Sequence, residues 1–191
     1  MLDALDIWLS EYEKLPQDLT GDDSPKNIAN FIDERVTGKL DLDNTVAQFS
    51  PPPSFTWQKD TFESLFRLIT KIPSPDVITP AIKIATAWQT ATQTGTMMIT
   101  VGAVINPVPP PTNGIVGTAT AILDPASLSL AYSDLVSELS SATSVAVRAD
   151  AVFPKAMYAA FKKLTFTITG IDTTPPPVGP WPINLPMTPI I

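Results

Sequence analysis

The 191-residue chain contains no cysteine and no histidine. The first absence excludes disulfides, thiol chemistry and zinc held by thiolates. The second removes the usual general base, the commonest transition-metal ligand and the side chain that changes charge near neutral pH. Carboxylates, lysine, tyrosine, serine and threonine are what remain for catalysis. Charge is scarce as well: Asp, Glu, Lys and Arg make up 16% of the residues, and Ile84–Leu123 contains none of them. A stretch this poor in charge must be covered by protein, its own or a neighbour's.

Chemical motifs are also missing. The sequence has no GxGxxG, P-loop, GxSxG, HExxH or EF-hand loop. Its carboxylate pairs (Asp22/Asp23, Asp33/Glu34, Asp41/Asp43) sit on expected helix surfaces or loops near the front. A carboxylate-based enzyme would need a concave site joining a front acid such as Asp41 to a later one such as Asp150. Lys83, the lysine in the most apolar company, reads as a solvated helix residue. The expectation is therefore a non-enzyme with no catalytic residue, no cofactor, no metal and no small-molecule substrate.

What charge there is lies at the front. Residues 1–45 hold eleven acids and four bases, which is −7 and the whole formal net charge of the chain. An acidic region repels phosphate, so no specific nucleic-acid partner is expected. The opening MLDALDIWLSEYEK has no apolar core of signal-peptide length, and prolines interrupt the uncharged stretch too soon for a membrane span. The expectation is a protein made in the cytoplasm without a membrane partner.

With 44% hydrophobic residues the chain can bury a sizeable core. Leu2, Leu5, Trp8, Leu9, Tyr12 and Leu15 recur at helical spacing up to Pro16. Ser24-Pro25 is a cap-plus-proline start for a second helix that stops at Gly38. Ser50-Pro-Pro-Pro-Ser54 is a stiff spacer. Helices follow over Trp57–Lys71, from Thr79-Pro80 to Gly95, from Asp124-Pro125 onward, and over Lys155–Lys163. Trp88 reads as a core side chain rather than a binding anchor. Thr143–Val152 fits helix and strand equally. Strands are expected at 97–105, 115–123 and 164–171, the first two joined through a proline-rich bend and an Asn113–Gly114 turn. The predicted architecture is α+β, about six helices around one small sheet. It divides into an acidic helical region (1–50), an α+β core (54–172) and an extended arm (173–191).

The arm, TTPPPVGPWPINLPMTPII, is too proline-rich for a helix or a central strand. It is also too apolar for a solubilising tail. Its candidate protein-interaction residues are Pro175, Pro176, Pro177, Trp181, Ile183, Leu185, Met187, Ile190 and Ile191. The arm is expected to dock in extended form along its own domain or, by preference, on a neighbouring subunit, since a pre-stiffened segment loses less entropy on docking.

Three features, Pro107–Pro111, the strand Leu164–Gly170 followed by Thr173–Pro180, and the arm running to Ile191, resemble the small virion structural proteins of tailed bacteriophages found at necks, tails and baseplates. The resemblance is one of style over the last two thirds of the chain. It implies rings or sleeves of many copies, joined by swapped arms and strand addition, within a virion and in contact with other virion structural proteins. The alternative is a monomeric interaction module whose proline-rich tail binds a foreign partner.

Overall fold

The computed structural model describes residues 4–16, 23–36, 38–39, 54–71, 76–98, 103–105, 115–117, 119–142, 151–171 and 180–186. Its elements in chain order are α1 (Ala4–Glu13), α2 (Ser24–Val36), β1 (Gly38–Lys39), β2 (Ser54–Thr56), α3 (Lys59–Lys71), α4 (Ile78–Gln93), β3 (Thr96–Met98), β4 (Ala103–Ile105), β5 (Ile115–Gly117), β6 (Ala119–Leu123), α5 (Pro125–Ser140), α6 (Phe153–Lys162), β7 (Thr165–Ile171) and β8 (Pro180–Pro186). The α+β class is as expected. The single sheet is not: the strands form three separate antiparallel ladders, ordered β1-β2-β3, β4-β5 and β6-β7-β8.

The helices follow their apolar spacing. Trp8 and Tyr12 of α1, Phe62 and Phe66 of α3, and Ala81, Ala85, Trp88 and Thr92 of α4 are buried at intervals of three or four residues. The start of α5 is the one read from the sequence. Asp124 accepts from the amides of Ala126 (3.0 Å) and Ser127 (3.3 Å), and Pro125 occupies the first turn, where a missing N–H costs nothing. The start of α4 differs from the Thr79-Pro80 reading. The helix begins at Ile78, and the Asp76 carboxylate accepts from the Thr79 amide (2.6 Å) and hydroxyl (2.9 Å).

Ring contacts from α6 reach α1, α3 and α4 and tie the helical body together. Phe153 of α6 stacks on Phe66 of α3 with centroids 5.7 Å apart. Phe161 meets Trp88 of α4 and Trp57 edge-on, at 5.6 and 5.8 Å. The Trp8 indole donates a buried 2.9 Å hydrogen bond to the Pro154 carbonyl, tying α1 to the first turn of α6. Ring contacts continue from Trp57 to Phe62 and Phe66, and from Phe153 through Tyr12 to Phe31 and Trp8. The two helices of the acidic region are thus built into the same hydrophobic core as α3 to α6. Trp88 is fully buried, as read.

The uncharged stretch divides its strands among the three ladders. Among the described residues, the expected pairing of 97–105 with 115–123 is kept where β4 meets β5, with Ala103 opposite Gly117 and Ile105 opposite Ile115. The first part, β3, pairs with β2, and the last part, β6, pairs with β7. The proline-rich bend, the Asn113–Gly114 turn and residues 143–150 of the ambiguous Thr143–Val152 segment lie outside the described residues, as do Asp41, Asp43 and Asp150.

Gly95, the expected helix stop, has a packing reason for being glycine. A Cβ there would lie 2.5 Å from Cε2 of Phe55 and 3.0 Å from the Thr56 carbonyl. The Phe55 ring is buried against Phe166 with centroids 5.6 Å apart, so it cannot give way cheaply.

Candidate interaction surface

The interaction residues expected in the arm meet the structure at β8. In the single chain, Pro180–Pro186 pairs antiparallel with the chain's own β7, with Thr165 opposite Pro186, Ile168 opposite Ile183, and Ile171 opposite Pro180. Trp181, Ile183 and Leu185 therefore occupy alternate positions of one strand. Pro175, Pro176, Pro177, Met187, Ile190 and Ile191 lie outside the described residues.

Ladder parity shows why so proline-rich a segment can pair at all. The Asp124 amide donates to the Thr165 carbonyl at 2.9 Å, so Thr165 turns its backbone polar groups toward β6. Backbone groups alternate along a strand, so Phe166, Ile168 and Gly170 turn theirs toward β8. Their partners Leu185, Ile183 and Trp181 supply the matching donors and acceptors. Pro180, Pro182 and Pro186 fall on the other parity, where no N–H is needed for the ladder. Of the four outward positions only Asn184 keeps an N–H, so the free margin of β8 is a poor template for a further strand. The rule that prolines forbid a central strand holds, and β8 is an edge strand.

A polar junction fixes the root of this sheet. Besides capping α5, Asp124 accepts from the Thr165 hydroxyl at 3.3 Å. The Ser127 hydroxyl accepts from the Thr165 amide (3.1 Å) and donates to the Asp124 carbonyl (2.8 Å). Three elements, β6, α5 and β7, are locked together here. Beside the junction lies a groove of about 340 Å³ lined by residues that include Phe55, Gly95, Ile122 and Phe166. Ile122 at its rim is 66% exposed.

A second and larger groove, about 670 Å³, runs between α5 and α6 beside Leu5 of α1. The sequence reading did not single it out. The signal available was the i, i+4 pair Asp134 and Glu138 on one helix, with Lys155, Tyr158 and Lys162 at i, i+3, i+7 on another.

On the acidic front, Glu11 has a displaced titration. Its carboxyl is held below the ordinary carboxylate value, chiefly by the hydrogen bond from Lys14, then by the Lys14 charge and more weakly by that of Arg35, while partial desolvation opposes them. Arg35 lies over the Phe31 ring at 4.0 Å and reaches Glu11 at 3.8 Å, so α1 and α2 partly neutralise each other. Among the described residues, no group of three or more Asp or Glu could hold a metal ion, and no helix is long and apolar enough to cross a membrane. Lys83 is exposed on α4.

No family model, no curated protein and no solved structure matches this chain.

Proposed function

We propose that the chain is a non-enzymatic structural component of a tailed-phage virion, present in several copies as a ring or sleeve at a neck, tail or baseplate junction. The observation that carries this reading is the pairing of Pro180–Pro186 with β7. A stiff, proline-bearing strand that completes a sheet from its margin can leave one copy and complete the same sheet of the next. The proline-blunted edge of β8 favours exchange of the arm over growth past it. Swapped arms would then join identical copies, and the same strand site could accept an arm from another virion protein. No cofactor, nucleic acid or membrane enters this reading.

The test removes residues 173–191 and compares native mass by light scattering, electron micrographs and incorporation into particles with those of the full chain. Loss of arm-mediated self-association into rings or sleeves, or of incorporation, with the helical circular dichroism kept, is the expected result. An unchanged oligomeric state together with loss of a foreign partner would turn the reading to the monomeric interaction module.

A further inference from the structure

The groove between α5 and α6 has an ordered charge pattern. Its floor is apolar, with Leu135 of α5 and Ala156 and Ala160 of α6 all buried. One rim is acidic, formed by Asp134 and Glu138, one turn apart on α5. The other is basic, formed by Lys155, Lys162 and Lys163 on or just after α6. Asp134 and Lys163 form an ion pair across one end of the groove, which fixes how the two rows lie relative to each other. Glu138, Lys155 and Lys162 are exposed.

The geometry points to a second copy of this chain as the occupant, docked face to face about a two-fold axis that runs along the groove. Turning the groove over about that axis exchanges its two sides. The acidic row of each copy then lies over the basic row of the other, and the two apolar floors meet. A two-fold axis across the groove would instead oppose acid to acid and base to base, so the charge pattern selects one axis. A surface carrying both signs in separate rows is self-complementary in the way an isologous contact requires. A one-signed ligand or partner would satisfy one rim and repel the other.

The face is two helices wide, with α6 ten residues long. At a rise of 1.5 Å per residue and a spacing of about 10 Å, and with α5 sixteen residues long, it offers roughly 300–500 Å² per copy, smaller than a standard specific interface and of the size of a weak contact. The dimer is therefore concentration-dependent, and salt weakens it.

The experiment uses the full chain, with the arm intact, so its result is separate from that of the arm deletion. Native mass is followed over a hundredfold range of concentration for the parent, for E138K and for K155E/K162E. All three positions are exposed, and circular dichroism confirms that each variant folds. The parent is expected to gain mass with concentration by pairing through this face, in addition to any assembly through the arm, and each variant alone to lose at least tenfold in that concentration-dependent step. An equimolar mixture of the two variants should recover dimer, because the predominantly acidic face of one, where Lys163 alone stays basic, then meets the more basic face of the other. A parent that stays monomeric throughout, variants that associate as the parent does, or a mixture that fails to recover would each overturn the proposal.

Discussion

The helical body and the sheet margin hold together by different means. Around α6, the fold is fixed by large rings in mutual contact: Trp8, Trp57, Trp88, Phe62 and Phe161 are all among the most deeply buried side chains. At the margin, β7 and β8 are joined through a backbone ladder, with a proline at every other β8 position except Asn184. Ring packing is non-directional and large in magnitude, so it sets global stability. A proline-limited ladder is directional and modest, so it specifies where a strand goes while costing little to open. The difference separates a part whose loss would unfold the chain from a strand that can be withdrawn at smaller cost.

The sharpest way to break this comparison is in the body. Trp8→Ala removes a fully buried ring, its edge contacts with Phe31 and Tyr158, and the hydrogen bond to the Pro154 carbonyl. A loss of about 3–5 kcal/mol is expected in urea denaturation, the scale of a large aromatic truncated to alanine. Tryptophan fluorescence and far-ultraviolet dichroism should change together in a single transition. If only α1 detached, with the rest melting at the parental midpoint, the acidic region would be a separate unit and the shared core would be refuted.

Gly95→Ala probes the joint where α4 hands over to the strands. The new methyl would press on the Phe55 ring and the Thr56 carbonyl, and overpacking of this kind costs about 1–3 kcal/mol. Pairing it with Phe55→Leu should recover part of that loss if the clash is the cause, and calorimetry of the four combinations reads the coupling. Additive losses would contradict the close approach.

The junction at Asp124 ties the two regions together and is next in size. Asp124→Ala removes the cap of α5 and the contact with the Thr165 hydroxyl, an expected loss of about 1–2 kcal/mol by thermal unfolding. Asp124→Asn keeps an acceptor and should recover most of it. Equal losses for the two variants would mean that the cap contributes nothing and that carboxylate charge alone matters.

How far the sequence could be read follows the same division. Helices were legible because Trp8/Tyr12, Phe62/Phe66 and Ala81/Ala85/Trp88 repeat at helical spacing, and because Asp124-Pro125 states a helix start in two residues. The start of α4 misled, since Asp76 caps it from a position before the proline signal. Partners of the strands were not legible. Three-residue pieces such as β3 and β4 have no periodicity of their own, and which neighbour each one takes is decided by contacts distant in sequence. Arm prolines rightly barred a central strand, but the edge strand they form was not legible, because their parity has no meaning until β7 is known to lie alongside. The groove between α5 and α6 escaped notice for a related reason, since Glu138 and Lys155 become two rims only once the helices pack.

Parity provides the finest test, with the smallest effect on global stability. Ile183 faces the β7 ladder opposite Ile168, whereas Asn184, opposite Thr167, turns its N–H outward. Ile183→Pro therefore deletes a ladder donor, and Asn184→Pro deletes only the last outward one. Both should leave the melting of the helical body within about 1 kcal/mol of the parent. Hydrogen exchange at the Phe166, Ile168 and Gly170 amides, which turn toward β8, should accelerate at least tenfold in the first variant and stay parental in the second. Equal protection in the two would mean that β8 is held by something other than its backbone. The reverse ranking would put the register one residue out, exchanging the ladder and outward positions along the whole strand.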